Sequence, residues 1–165
     1  MKVAIVMGSD SDFPIVEKGY NILKEFGVEV EVRVLSAHRT PDEAIIFAKN
    51  AEAEGYEVLI GAAGKAAHLP GVLAGCTILP VIGLPIKSSE LDGMDALLSI
   101  VQMPPGVPVA TVAINGADNA ALLAIQILSV KYESLRFKFK EYKKQMAAKV
   151  FEKNKKLNEK LHGGL

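Results

Sequence analysis

The chain has 165 residues, of which half are hydrophobic, and its 19 basic and 19 acidic side chains balance at neutral pH. This length and composition predict a single domain over residues 1–165 with a sizeable core, and the balanced charge argues against a general affinity for nucleic acid. The single cysteine excludes a disulfide framework, and we expect a cytoplasmic protein because no signal-peptide pattern and no apolar run of about 18 residues is present.

The chain opens with a strand pattern, a helix pattern and a second strand pattern. KVAIVMGS is rich in β-branched residues and predicts a buried parallel strand that ends at Gly8. From Phe13 the apolar residues recur three and four positions apart, which predicts a helix that ends at Gly27. The alternation in VEVEVRVL then predicts the second strand.

The segment TPDE at residues 40–43 predicts the start of the second helix. It is typical of a capping box, in which Thr40 is the N-cap, Pro41 takes the first helical position and the Glu43 side chain reaches back to the N-cap backbone. We expect this helix to continue to about Gly55.

Three further strand patterns follow, with helix patterns between them. The strands are predicted in YEVLIGAA, LPVIGLPI and VPVATVAI, and the helices in GKAAHLPGVLAGC, MDALLSIVQM and GADNAALLAIQILSV, with Asp118 or Asn119 near the last cap. Apolar strands that alternate with helices predict a parallel sheet covered on both faces, and five strands are too few for a (β/α)8 barrel. The predicted fold class is therefore α/β, a three-layer, doubly wound domain with a five-stranded parallel sheet.

Residues 131–165 predict a long basic helix beyond an α/β core at residues 1–130. This segment carries 11 lysines and arginines against 4 acidic residues. The charge favours a solvated helix face, and a contact with an acidic partner or RNA is the alternative. The helix also needs a partner for its apolar stripe, either a neighbouring subunit or the chain's own core. The stripe consists of Leu135, Phe139, Tyr142, Met146, Val150 and Leu157.

Polar or glycine-rich loops follow the first four predicted strands: GSDSD, SAHRT, AAGKAAH and PIKSSELDG. In open parallel sheets, ligands bind beyond the carboxyl ends of the strands, near the switch in strand order. The four loops are therefore expected to converge on one site.

The first of these loops, GSDSD, favours a phosphate site. Gly8 permits a tight turn, Ser9 and Ser11 supply hydroxyl donors, and the following helix start offers free N–H groups. The loop has neither the Walker A nor the dinucleotide-binding pattern. Since two aspartates repel a bare phosphate, Asp10 or Asp12 is expected to face ribose hydroxyls or a protonated group. An N-cap role for Asp12 is the alternative, and a metal-binding pair is a weaker one.

The second loop, SAHRT, contains a titratable side chain beside a permanent cation. Imidazole titrates near neutrality, so His38 is a candidate for proton transfer. Arg39 is a candidate ligand for a phosphate or carboxylate, and Ser36 is expected to contribute to the same site. In the alternative interpretation His38 only caps the turn, and Arg39 pairs with Asp42 or Glu43.

The third loop combines small residues with a histidine and a lysine. Small residues let a ligand approach the backbone closely, and the helix start offers N–H donors to a carboxylate. A structural role for His68 and a solvent-facing position for Lys65 are the alternatives. The candidate contacts are Gly64, Lys65, Ala66, Ala67, His68 and Leu69.

Several common catalytic patterns are missing from the sequence. It has no zinc-ligand spacing and no G-x-S-x-G motif, and Cys76 lies in an apolar segment. The remaining hypothesis is acid–base chemistry on a small anionic substrate, without a metal or a redox cofactor.

The motifs MGSDSD, SAHRTPD, AAHLPG, LPVIGLPI and SIVQMPPGVPVATVAI stand in the order and spacing of a known family. From residue 3 to about residue 130 the chain resembles the 5-(carboxyamino)imidazole ribonucleotide mutases of purine biosynthesis. The resemblance implies a flavodoxin-like fold and a homo-octamer whose C-terminal helices reach over neighbouring subunits. It also implies a cofactor-free isomerisation that moves a carboxyl group from the exocyclic nitrogen of the nucleotide to ring carbon 4. The substrate would come from an ATP-dependent synthetase, and neither nucleic acid nor a membrane would be involved.

The resemblance also implies roles for individual residues. His38 matches the family's essential proton-transferring histidine, and Arg39 matches a ligand of the substrate phosphate. Ser9 and Asp12 match further substrate contacts, and Ser11 is expected to help hold the phosphate. The loop from Gly64 to Leu69 matches the one that cups the ring and the migrating carboxyl group. His68 is expected to contact the substrate from that loop, but not to be the proton shuttle.

Lys65 departs from the family pattern, which usually has a second glycine there. A sister family that carboxylates aminoimidazole ribonucleotide directly has an arginine at this position, so direct carboxylation is the alternative activity. A nonenzymatic module resembling a response regulator is a further alternative. Such modules need an aspartate at the end of the third strand, where this chain has LIGAAG.

Overall fold

A five-stranded, all-parallel sheet forms the centre of the protein in a computed structural model that describes residues 1–162. The strands are β1 (Lys2–Met7), β2 (Glu29–Val34), β3 (Val58–Gly64), β4 (Val81–Ile86) and β5 (Ala110–Thr111), and they lie in the order β2-β1-β3-β4-β5. The helices are α1 (Phe13–Phe26), α2 (Pro41–Asn50), α3 (Leu69–Cys76), α4 (Met94–Val101), α5 (Ala117–Lys131) and α6 (Glu133–His162), and a short 3-10 helix spans Asp10–Asp12. The predicted α/β fold class is confirmed. Residues 163–165 of the predicted C-terminal helix lie outside the described residues.

The strand order reverses between β1 and β3. Ile5 of β1 pairs with Val32 of β2 on one side and with Ile60 of β3 on the other. The chain therefore moves outward in one direction from β1 to β2, and in the other direction from β3 through β4 to β5. This reversal is the switch point at which ligands bind in doubly wound sheets.

Helices cover both faces of the sheet, and alternate strand residues point into two separate cores. Val3 and Ile5 pack on one face with residues of α1 and α5. Ala4 and Val6 pack on the other face with residues of α2, α3 and α4. This two-sided burial explains why the central strands read as continuous apolar runs.

The structure differs from the sequence-based expectation at α2 and β5. As expected, Thr40 is the N-cap residue and Pro41 opens α2. The capping box is absent from the described contacts, because Thr40 Oγ1 accepts instead from the Ser36 backbone N–H at 2.9 Å. The helix ends at Asn50 and a turn leads to Gly55, where φ is +82°. The fifth strand is only two residues long, although VPVATVAI has a strand pattern.

The long helix α6 folds back onto the core only over its first turns. Leu135 is buried, and the rings of Phe139 and Tyr142 lie 6.4 and 5.7 Å from the ring of Phe26. The Lys138 ammonium donates to the Phe26 carbonyl at 2.8 Å. Farther along the stripe the apolar side chains are exposed: Met146, Val150 and Leu157. Among the described residues, no helix is long and apolar enough to cross a membrane.

Candidate functional site

A cavity of about 590 Å³ lies at the carboxyl ends of β1 to β4, across the switch in strand order. All four loops that the sequence places at this edge contribute to it. The predicted site residues that line it are Ser9, Ser11, Asp12, Ser36, His38, Arg39, Gly64, Lys65, Ala66, His68 and Leu69. Ala67, which was also predicted, is buried beneath the loop and packs in the core of the α2–α4 face.

The loop after β1 presents two hydroxyl groups that are already hydrogen-bonded to each other. Ser9 is the N-cap of the 3-10 helix, and its Oγ accepts from the Ser11 backbone N–H at 3.3 Å and lies 2.9 Å from Ser11 Oγ. Ser9 Oγ also lies 3.3 Å from the exposed Asp10 carboxylate. Hydroxyls beside the start of α1 are suited to bind an oxyanion.

Asp12 occupies the N-cap position of α1, but its side chain makes no capping hydrogen bond among the described contacts. The carboxylate instead lines the cavity. Burial raises the pKa of Asp12, while hydrogen bonds from Ser11 and from the Ser9 backbone oppose that rise. The predicted alternative of a capping role alone is therefore not observed, and Asp12 is free to accept from a ligand hydroxyl.

Arg39 is held at the junction of the β1 and β2 loops. Its Nη2 donates to the Gly8 carbonyl at 2.8 Å, and its backbone N–H donates to Ser36 Oγ at 3.2 Å. Within residues 1–162, no ion pair joins Arg39 to Asp42 or Glu43, so that alternative is also not observed. The guanidinium keeps donors available for an anion next to the two serines.

His38 and His68 meet across the cavity, although they are 30 positions apart in the chain. His38 Nε2 lies 2.8 Å from His68 Nδ1, and the two exposed rings cross at 76° with their centroids 4.9 Å apart. One nitrogen must donate and the other accept, so each ring fixes the tautomer of its neighbour. This contact joins the loops after β2 and β3, and it places two imidazole side chains at the same point.

The loop after β3 carries Lys65 in the left-handed region, with φ of +54°. Its ammonium lies 3.9 Å from a carboxylate oxygen of Glu90, which belongs to the segment between β4 and α4. His68 takes the N-cap position of α3 without a capping side-chain bond among the described contacts. Its imidazole is therefore available to His38.

Three further residues of the β4 end line the cavity, and sequence reasoning did not single them out: Ile86, Lys87 and Ser88. The Lys87 backbone N–H donates to Asn115 Oδ1 at 2.9 Å, and Asn115 adopts a φ of +58°. Ser88 Oγ lies 3.2 Å from both carboxylate oxygens of Asp95. The only signal for these residues was their position after a strand, because KSS matches no functional motif.

The cavity combines hydroxyls, one half-buried carboxylate, two imidazoles and three cationic side chains, Arg39, Lys65 and Lys87. No group of three or more His, Cys, Asp or Glu side chains suited to a metal ion occurs among the residues that the structure describes. The arrangement is suited to bind an anionic molecule and to move protons on it.

Comparison with known proteins identifies the family. The family model described as AIR carboxylase matches residues 2–149. The chain is 58% identical to the N5-carboxyaminoimidazole ribonucleotide mutase of Pyrococcus horikoshii over 95% of this chain and 89% of that protein, and 56% identical to the Thermotoga maritima mutase over 96% and 92%. The crystal structure of Treponema denticola PurE superposes with a TM-score of 0.87 at 34% identity and covers 94% of this chain and 98% of that one. The chain belongs to the AIR carboxylase family.

Proposed function

We propose that this protein is an N5-carboxyaminoimidazole ribonucleotide mutase of purine biosynthesis. The reaction moves the carboxyl group of 5-carboxyamino-1-(5-phosphoribosyl)imidazole from the exocyclic nitrogen to ring carbon 4. The product is 5-amino-1-(5-phosphoribosyl)imidazole-4-carboxylate. The relatives that carry this name span nearly the whole chain.

The observation that carries the proposal is the His38–His68 contact inside a cavity that also holds an arginine and two serines. In the proposed binding mode, the phosphate lies against Ser9, Ser11 and Arg39, where hydroxyl and guanidinium donors cluster. The Asp12 carboxylate accepts from ribose hydroxyls. The imidazole ring then lies near the loop from Gly64 to Leu69 and close to the histidine pair.

The reaction requires one proton to be delivered to the nucleotide and one proton to be removed from it. His38 delivers a proton to the exocyclic nitrogen as the N–C bond of the carbamate breaks and carbon dioxide is released. Carbon 4 then attacks the carbon dioxide and forms the new C–C bond, and His38 takes the proton that carbon 4 loses. Because carbon dioxide binds weakly, proximity and the exclusion of water are expected to contribute most of the rate.

The exposed apolar side chains of α6 support a proposal for the assembly of the protein. We propose a homo-octamer in which the exposed part of α6 covers a neighbouring subunit, with residues 1–130 and 131–165 acting as one domain. We also propose a cytoplasmic location. The substrate is expected to come from an ATP-dependent synthetase, because forming a carbamate on an aromatic amine requires an energy source.

A product assay with two substrates tests the proposed function. One reaction receives freshly prepared carboxyamino-imidazole ribonucleotide, and the other receives aminoimidazole ribonucleotide with bicarbonate near its physiological level. The ultraviolet absorbance of the 4-carboxylated product is followed in both. Fast turnover in the first reaction alone is expected, whereas fast turnover in the second would make the protein a direct carboxylase.

The variant His38→Ala is expected to lose turnover by at least about 100-fold, the usual size of a general acid–base contribution. Nucleotide binding, measured by calorimetry, should remain because the phosphate contacts lie on other residues. His162→Ala is the matched control, since this exposed histidine lies at the end of α6 outside the cavity. Undiminished activity of His38→Ala would contradict the assignment.

A further inference from the structure

Lys65 occupies a backbone conformation that suits glycine better than lysine. Its φ is +54°, in the left-handed region where a Cβ atom is unfavourable. The residue follows the end of β3 and is one of those that line the cavity. Strained backbone conformations that persist tend to mark functional positions. At position 65 this conformation is adopted by a residue with a cationic side chain at the edge of the site.

The strand order separates the positive charges of the cavity. Arg39 lies at the β1–β2 side, where its guanidinium bonds the Gly8 carbonyl. Lys65 lies at the β3–β4 side, where its ammonium faces Glu90. The His38–His68 contact bridges the two sides. This layout matches a ligand with an anionic group at each end and a proton-transferring step between them.

Lys65 is the more available of the two lysines on its side. Its ammonium lies 3.9 Å from Glu90 Oε1, with the two side chains 72% and 63% exposed. Lys87 is held more closely, at 2.8 Å from Asp92 Oδ1. A long, exposed ion pair contributes little to stability. A ligand carboxylate inside the cavity can therefore replace Glu90 as the partner of Lys65 at small cost.

We propose that Lys65 is a specificity-determining residue, whose ammonium leaves Glu90 and binds the carboxylate of the carboxylated imidazole nucleotides. This inference rests on the proposed function, in which the phosphate occupies the Arg39 side. Substrate and product carry both a phosphate and a carboxylate, whereas aminoimidazole ribonucleotide carries only the phosphate. Lys65 then raises the affinity for the carboxylated nucleotides and leaves the affinity for the decarboxylated nucleotide unchanged.

Calorimetric titration of two nucleotides into matched variants tests this role. The nucleotides are the 4-carboxylated product and aminoimidazole ribonucleotide. Lys65→Gln keeps most of the side-chain length and removes the charge, and Lys65→Arg keeps the charge. Lys65→Gly removes the side chain and also relieves the left-handed strain, so a loss of affinity there does not reflect misfolding. Lys18→Gln, on an exposed part of α1 outside the cavity lining, controls for net charge.

We expect Lys65→Gln and Lys65→Gly to weaken binding of the carboxylated nucleotide about threefold to tenfold. Binding of aminoimidazole ribonucleotide should change less than about twofold, and Lys65→Arg and Lys18→Gln should behave as the unmodified protein. Glu90→Gln should bind the carboxylated nucleotide at least as tightly as the unmodified protein, because the ammonium then has no competing partner.

An equal loss of affinity for both nucleotides would overturn the inference, because it would place Lys65 at the phosphate that they share. Unchanged affinity for both in Lys65→Gln would overturn it as well, because the ammonium would then remain with Glu90. In either case turnover by the unmodified protein would leave the proposed function standing. Absence of turnover on the carboxyamino substrate would instead overturn the proposed function together with this inference.

Discussion

Asp12 occupies a helix N-cap position, but its carboxylate remains available to a ligand. It lies where a helix N-cap normally accepts from the first turn, but the described contacts of its carboxylate do not include that bond. The charge is half-buried next to Asp10, and burial raises its pKa. The burial of this carboxylate therefore lowers the stability of the unliganded protein, and in the proposed binding mode the carboxylate accepts from ribose hydroxyls.

Asp12→Asn is expected to stabilise the unliganded protein at pH 7 by no more than about 1 kcal/mol. A carboxyl group whose pKa is raised on folding destabilises the fold once the pH exceeds its unfolded value, and this penalty disappears in acid where both states are protonated. The gain in Tm should therefore be present at pH 7 and absent near pH 3. The variant should also show a higher KM, because the amide is a poorer acceptor for ribose hydroxyls.

The exposed neighbour Asp10 provides the matched control for this substitution, and Asp10→Asn should change Tm less. A lower Tm for Asp12→Asn at pH 7 would contradict the explanation and show that the carboxylate stabilises the loop.

Sequence reasoning reached most residues of the site but not the contacts between them. The loop SAHRT identified His38 and Arg39, because an imidazole beside a guanidinium after a strand has a clear chemical meaning. The contact between His38 and His68 depends on how two loops bend toward each other, and residue types do not encode that. Lys87 and Ser88 were missed because lysine and serine are common in loops without function.

At the scale of elements, α1 packs closely against α5 at Gly19. A Cβ atom added at Gly19 would lie 2.6 Å from the backbone carbonyl oxygen of Ala117. Backbone atoms cannot move aside as a flexible side chain can. The absence of a side chain at Gly19 therefore sets the distance between two helices that cover one face of the sheet.

Gly19→Ala is expected to destabilise the protein, because the overpacking that it causes generally costs about 1–3 kcal/mol. Alanine favours a helix interior by about 1 kcal/mol relative to glycine, which leaves a net destabilisation of up to about 2 kcal/mol. Denaturant unfolding of Gly75→Ala provides the comparison, because Gly75 lies in α3 with no atom within 4 Å of an added Cβ. That variant should be equally or more stable than the unmodified protein, and equal behaviour of the two variants would rule out the steric explanation.

The order of the elements could be predicted because apolar runs alternate with helical periodicity along the whole core. Gly27 ends α1 as expected, with φ of +80°. The extent of β5 could not be predicted, since a strand forms only where a neighbour pairs with it, and β4 pairs with only Ala110 and Thr111. The capping box failed for a similar reason, because Ser36 offers Thr40 a competing hydrogen bond.

At the scale of the whole molecule, α6 has two parts with different surroundings. The first turns pack on Phe26 and the core through Leu135, Phe139 and Tyr142. Beyond them, Val150 and Phe151 are 63% and 72% exposed. Exposed apolar side chains on this outer part of a basic helix indicate contact with a partner surface, which agrees with the proposed assembly.

Phe151→Glu is expected to lower the molar mass in solution, measured by multi-angle light scattering, because it places a charge in the proposed subunit contact. Lys156→Gln changes the net charge by the same amount at a position of α6 about 140° around the helix from Phe151, and it is the control. An unchanged molar mass for Phe151→Glu would show that this part of α6 does not hold the assembly together. The fold of each subunit should survive, because Phe151 is exposed in the single chain.

The 2.8 Å distance between the two imidazoles limits how many hydrogens the pair can carry. Two neutral rings hold two N–H hydrogens, and a third can be added while one nitrogen still accepts from the other ring. A fourth would turn both facing nitrogens into donors and push the rings apart. With this contact intact, the histidine pair can therefore hold one proton beyond the two N–H hydrogens of its neutral rings. The proposed isomerisation needs no more than this, because the proton given to the exocyclic nitrogen is replaced by the proton that carbon 4 loses.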